Sequence, residues 1–369
     1  MKTFYETENG KLFCCDILEG FKAIPDKSVN CVITSPPYWQ LRDYGYPEQW
    51  GLEPTFQEYL EHLWQMVDEI WRVLKDDGTV WINLGDTYGT QSGNMRNPVP
   101  SKESNHAGNG IHINQPKTIH KCLLLIPHRF AIGCIDRGWV MRNDIIWAKR
   151  NGMPESVTDR FSKKHEYFFF MAKTQKYYFD LDGIRDTYKQ SSIERQLRGV
   201  SENNKWVNGP DGQTPHNLSQ PRPNRTTKID KSQSEMFGSP RARYHREEGY
   251  NEKINPKGKN PGSVSDFWDI PTKPSSKKHF ATYNFSLMDK CMIAGCPKGG
   301  MILDPFNGSG TTTLRAEQLE RKWIGIDGSE DYSKIAKKSI ENEREQIKLA
   351  FVQRCSATAS LRVVEIGVK

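Results

Sequence analysis

Short apolar runs of strand length recur along this chain: N-C-V-I at 30–33, T-V-W-I-N-L at 79–84, D-I-I-W-A at 144–148, H-E-Y-F-F-F-M-A-K at 165–173, M-I-L-D at 301–304 and K-W-I-G-I-D at 322–327. Between the first two the period changes. Leu60, Leu63, Trp64, Val67, Ile70, Trp71 and Leu74 share one face of a helix, Thr55 and Glu58 supply a capping-box start, and D-D-G at 76–78 is expected to end it. The mostly apolar 122–135 continues the alternation, and a further helix is expected from Thr311 through Leu319. A polar stretch rich in Gly and Asn, from Asp86 to about Lys117, predicts a long loop. Strands alternating with helices predict an α/β fold, a mainly parallel sheet of Rossmann-like type with helices on both faces. Ligands on such sheets sit beyond the carboxyl ends of the strands.

Charge divides the chain further. Its net charge is +7, and between Lys189 and Pro261 stand 14 Lys and Arg against 8 Asp and Glu, so the remainder is close to neutral. The same 73 residues hold only 13 apolar ones, too few for much core of their own. They form either a disordered surface insertion or a basic arm for nucleic acid, with Trp206, Phe237, Tyr244 and Tyr250 interleaved among Arg222, Arg225, Arg241, Arg243 and Arg246. The two are compatible, because such arms order on binding. The expected organisation is one catalytic body in two parts, 1–186 and 266–345, with 187–265 inserted and 346–369 as a tail. Nothing approaches a membrane span or a cleaved leader, so a soluble, cytoplasmic protein is expected. The eight cysteines show neither Cys-x-x-Cys nor zinc spacing, which favours reduced thiols and no metal.

Two strand ends carry candidate chemistry. After Met301–Asp304 the turn holds Gly308 and Gly310, which let a ligand approach the backbone before the next helix begins. Asp327 ends the following strand, where a carboxylate accepts from two ribose hydroxyls. A dinucleotide site would carry a third glycine where this chain has Thr313. Asp304 adds a carboxylate suited to a cationic amino-acid tail, and S-adenosylmethionine has both a nucleoside and such a tail.

The other strand end is T-S-P-P-Y, 34–38. Pro36 and Pro37 fix the backbone and offer carbonyls without competing N–H groups; Ser35 adds an acceptor and Tyr38 a flat surface. These are the needs of a site that grips an exocyclic amine on a flat heterocycle. The lone pair of such an amine is delocalised into the ring, and accepting hydrogen bonds from its two protons frees it to attack a sulfonium methyl in line. A base in a duplex must first be everted, at a cost of roughly a few kcal/mol, part of which stacking on Tyr38 would recover.

With these motifs the chain resembles the amino-methylating DNA methyltransferases, which modify cytosine N4 or adenine N6. Their S/N/D-P-P-Y/F/W motif is matched by Ser35, Pro36, Pro37 and Tyr38, and D-P-F-x-G-S-G-T-T by Asp304 to Thr312, including Pro305, Phe306 and Thr311. The resemblance implies S-adenosylmethionine as cofactor, Phe306 and Asp16 against it, Asp327 on its ribose, and a closing segment H-F-A-T-Y with His279, Phe280 and Thr282. The order of motifs is that of the permuted beta group, which puts the basic segment in the position of the target-recognition region. Asn83, Asp86, Arg142, Asn143, His165 and Glu166 fall in motifs on the target-base side, where structural roles are equally open. Serine at the first motif position accompanies cytosine N4 methylation more often than adenine N6, though both amines are alike. The implied partners are double-stranded DNA and a cognate restriction endonuclease, for a prokaryotic or phage-encoded protein associated with the nucleoid; the active form is a monomer or a homodimer. Methylation of a small molecule or protein, and an inactive DNA-binding module, are the other classes considered.

Overall fold

The computed structural model describes residues 2–46, 48–89, 120–152, 155–185, 266–272 and 285–347. The chain divides into two units, Met1–Gly183 with Asp266–Lys369, and Ile184–Ser265. Almost all of the second, with Arg222, Arg225, Arg241, Arg243 and Arg246, lies outside the described residues, as do His279, Phe280 and Thr282.

The first unit is built on one sheet of nine strands: β1 (Tyr5–Glu6), β2 (Gly10–Cys14), β3 (Val29–Thr34), β4 (Leu74–Leu84), β5 (Val140–Ala148), β6 (His165–Ala172), β7 (Phe267–Asp269), β8 (Met301–Asp304) and β9 (Lys322–Asp327). Their order across the sheet is β1-β2-β9-β8-β3-β4-β6-β5-β7. From β2 to β4 all neighbours run parallel, whereas β6 runs antiparallel to both β4 and β5. The carboxyl ends of β2, β9, β8, β3 and β4 therefore share one edge with the amino end of β6.

Alternate residues of the strands feed two cores. Phe13, Val32, Val80, Ile82, Phe169 and Met171 pack toward α1 (Ile17–Phe21), α2 (Phe56–Val73) and α3 (Ile126–Asp136). On the opposite face Leu12, Cys31, Ile33, Trp81, Phe168 and Phe170 meet α4 (Phe285–Gly295), α5 (Thr311–Gln318) and α6, residues 330–347. A strand buried on both faces has no polar alternation, which explains the unbroken Y-F-F-F-M-A of β6. Among the described residues no helix is long and apolar enough to cross a membrane.

α2 follows its sequence pattern with two corrections. Thr55 caps it, its hydroxyl accepting from Glu58 N at 3.1 Å, and Leu60, Leu63, Val67 and Ile70 are buried. Tyr59, Met66 and Val73 join them, while Trp71 is 38% exposed and packs edge-on against Trp139. D-D-G does not separate helix from strand. β4 begins directly at Leu74, and the pairing jumps from Val29 opposite Leu74 to Cys31 opposite Thr79, so Lys75–Gly78 form a bulge within the strand.

Candidate active site

The two strand ends singled out in the sequence are neighbours. β3 and β8 pair side by side, and at their carboxyl ends the Thr34 hydroxyl donates to Asp304 Oδ1 at 2.7 Å. T-S-P-P-Y and the glycine turn thus leave the same point of the sheet edge.

On the turn side, Asp304 is 1% exposed and Asp327 8%. Asp304 also accepts from Phe306 N at 3.0 Å, and Asp327 from Gly308 N at 2.7 Å and Ser329 N at 2.8 Å. Neither has a cationic partner among the described residues. Burial outweighs these hydrogen bonds and pushes both carboxyls up to about 6. Gly308 and Gly310 adopt φ of 50° and 84°, in the left-handed region. A Cβ on Gly310 would lie 2.7 Å from Ala336 Cβ, so the turn packs directly on α6. Thr313, standing where a dinucleotide loop has glycine, is buried with its hydroxyl 3.0 Å from Asn307 Oδ1 and 3.2 Å from the Gly310 carbonyl. It braces the turn from within. Thr311 opens α5, and Phe306 meets Trp50 edge-to-face with centroids 5.4 Å apart.

Beside Asp327 a cleft is lined by Cys15, Asp16, Ile17, Tyr46, Glu48, Trp50 and Gly328. Asp16 has a structural duty there as well, since its Oδ1 caps α1 by accepting from Leu18 N at 2.9 Å and Glu19 N at 3.3 Å. Tyr46 and Trp50 were not anticipated. They come from the aromatic stretch that follows T-S-P-P-Y, a loop with no periodicity to mark it.

On the clamp side, Pro36 is buried and Ser35, Pro37 and Tyr38 half-buried. The Pro37 carbonyl is already engaged, accepting from Tyr59 Oη at 2.7 Å, so it is not a free acceptor as the sequence suggested. Ser35 Oγ and the Pro36 carbonyl have no hydrogen-bond partner among the described residues. The Tyr38 ring lies against the backbone of Gly85, where a Cβ would come within 2.5 Å of Cε2. Its hydroxyl donates to Glu166 Oε2 at 2.8 Å and accepts from Asn83 Nδ2 at 2.7 Å. Glu166 in turn pairs with Lys149, and Asn83 is fully buried. This network fixes the ring.

Asp86 is buried at the end of β4, with Oδ1 accepting from Thr87 N and Ile126 N at 2.9 and 3.1 Å. His165 stands at the same edge with Nε2 3.1 Å from Tyr167 Oη. Arg142 and Asn143 do not. They lie near the start of β5, far from its active end, and Arg142 Nε donates to Tyr177 Oη.

A mainly parallel α/β sheet whose glycine turn and buried acidic strand ends lie beside a Ser-Pro-Pro-Tyr loop defines the class of nucleoside-cofactor methyltransferases. The chain belongs to the DNA methylase family of N6 and N4 amino-methyltransferases, whose model matches residues 29–338. It is 32% identical over 339 residues to the Type II methyltransferase M.Cfr9I of Citrobacter freundii, covering 92% of this chain and 90% of that one. It is 31% identical to the Type II methyltransferase M.SmaI of Serratia marcescens, covering 90% and 91%. Among solved structures, the PvuII DNA methyltransferase (cytosine-N4-specific) is similar in fold, with TM-score 0.52, 17% identity and coverage of 92% and 88%.

The cofactor of this family is S-adenosyl-L-methionine, and the residues present fit it. Two buried carboxylates without cations at adjoining strand ends suit an ammonium group and a pair of ribose hydroxyls, and the cleft with Trp50 and Tyr46 suits a flat base.

Proposed function

We propose that this protein is the site-specific methyltransferase of a Type II restriction–modification pair, methylating the exocyclic amine of a base everted from duplex DNA, cytosine N4 in preference to adenine N6. The observation that carries the reading is the 2.7 Å hydrogen bond from Thr34 to Asp304, which joins the base clamp and the cofactor turn at one point. S-adenosylmethionine, when bound, supplies an electrophilic methyl on a sulfonium. Asp304 holds its ammonium and Asp327 its ribose hydroxyls, while Asp16, Trp50 and Phe306 bound the adenosine end. Tyr38, locked by Asn83 and Glu166, stacks on the everted base. Ser35 Oγ and the Pro36 carbonyl accept hydrogen bonds from the two amine N–H groups, drawing the nitrogen toward a tetrahedral shape and freeing its lone pair. Tyr59, by holding the Pro37 carbonyl, keeps the rigid pair of prolines in register for this.

The preference for cytosine N4 rests on Ser35, a neutral acceptor where adenine-specific relatives more often carry a carboxylate. The protein would act in the cytoplasm at the nucleoid, protecting the sites a cognate endonuclease cuts. DNA from cells expressing the protein, digested to nucleosides, is expected to contain N4-methylcytosine, and a Ser35→Ala form to leave none. N6-methyladenine in its place overturns the choice of base. Cofactor binding with no methylated base overturns the enzymatic reading.

A further inference from the structure

The connection from β5 to β6, described at 149–152 and 155–164, lies at the active edge of the sheet. Trp147 pairs with Glu166 and Ala148 with His165, and β6 continues with Tyr167 opposite Leu84 of β4. The loop therefore stands next to Gly85–Tyr88, the segment whose first residue packs against the Tyr38 ring. It is tied down at several points. Lys163 Nζ donates to the Asp86 carbonyl, the Arg160 guanidinium lies 3.9 Å over the Tyr88 ring and pairs with Glu155 at 2.6 Å, and Asp159 pairs with Lys121.

On this braced loop Phe161 is 96% exposed, the most exposed large apolar side chain among the described residues. Its neighbours Arg160, Lys163 and Lys164 are cationic. A ring held out in water serves neither the core nor the hairpin. Placed at the rim of a site that must receive a base, on a loop whose cations Arg160, Lys163 and Lys164 are spent on holding it in place, it has the chemistry of an apolar wedge. We propose that Phe161 inserts into the base stack of the substrate duplex where the everted base leaves it, and so keeps that base in the clamp. The proposal rests on the reading of the protein as a DNA methyltransferase, and adds the residue that opens the duplex.

The test compares the wild-type protein, Phe161→Ala and Phe161→Trp on two duplexes carrying the sequence found methylated in expressing cells. One duplex is fully paired and the other has a mismatch at the target base. Eversion costs a few kcal/mol in paired DNA and least at a mismatch, so Phe161→Ala should lower kcat/KM on the paired duplex by about tenfold to a hundredfold. On the mismatched duplex it should fall within a few-fold of wild type, as Phe161→Trp should on both, with S-adenosylmethionine affinity unchanged throughout. Wild-type rates for Phe161→Ala on paired DNA, or an equal defect on both duplexes, overturn the wedge. A wild-type protein that binds the cofactor but methylates neither duplex sinks the underlying reading and the wedge together.

Discussion

Asp304 shows how burial sets the chemistry of one side chain. It accepts from Thr34 Oγ1 and Phe306 N and has Thr312 as a further partner, all of which favour the charged form, yet desolvation wins and its carboxyl rises to about 6. Raised above its unfolded value, the group contributes stability that is fully present below about pH 4 and is lost as the pH rises through about 6. Above that pH the ligand-free fold carries a buried charge, which a bound ammonium would neutralise. As far as these two carboxyls set it, cofactor affinity is therefore expected to weaken by up to about tenfold per pH unit below 6, with Asp327 adding to the slope, and to level off near pH 7. Titration calorimetry between pH 5 and 8 measures this. Asp304→Asn should bind at least about tenfold more weakly at pH 7.5, since a charged pair is lost, and its remaining pH dependence should be shallower. Asp304, Asp327 and the Ser-Pro-Pro-Tyr residues stood out in the sequence because each ends or directly follows a short strand. Tyr59, Asn83 and Glu166 acquire their roles through hydrogen bonds to residues 22, 45 and 128 positions away, a relation only the folded sheet creates.

At the scale of elements, the sheet was readable wherever period and length agreed. β3, β8 and β9 lie where their apolar runs predict, and β6 is legible as a strand because its apolar run, Tyr167–Ala172, is six residues long, too short for a helix packed on both sides. Lys75–Gly78 misled because D-D-G has the chemistry of a turn, and a bulge uses the same chemistry inside a strand. The glycine turn between β8 and α5 is tightly specified. Gly310 has φ of 84°, and an added Cβ would stand 2.7 Å from Ala336 Cβ and 2.9 Å from its Cα, with backbone on one side and helix on the other. Gly310→Ala is expected to cost about 1–3 kcal/mol from the backbone conformation and crowding, lowering the melting temperature by several degrees. Because relief requires α5 and α6 to move apart, the turn that faces Asp327 moves with them. Cofactor affinity should fall in the same variant, whereas Gly299→Ala, also at positive φ but with nothing within 4 Å of the added Cβ, should lower stability and leave binding alone. Calorimetry of both variants with and without cofactor separates the two effects.

Across the whole molecule, the excess of positive charge and the chemistry are apart in sequence. The body that carries the sheet is close to neutral, while the segment from Lys189 to Pro261 has 14 cations against 8 anions and 13 apolar residues among its 73. Electrostatic affinity for DNA scales with the number of phosphates neutralised, so a segment supplying several of those contacts should dominate the salt dependence of binding. The parts that assemble the candidate site come from 10–88, 155–166 and 301–328, and among the described residues their cores are built from side chains outside this segment. Deleting 200–255 is therefore expected to abolish DNA methylation while S-adenosylmethionine still binds within a few-fold of the full-length affinity. Over 50 to 200 mM salt, the logarithm of duplex affinity for the full chain should fall with log salt by about 0.9 per phosphate contact, and the deletion should flatten that slope by the contacts removed. Retained methylation of the same sequence would assign recognition to the loops at the sheet edge, with the hairpin that carries Phe161 as the first place to look.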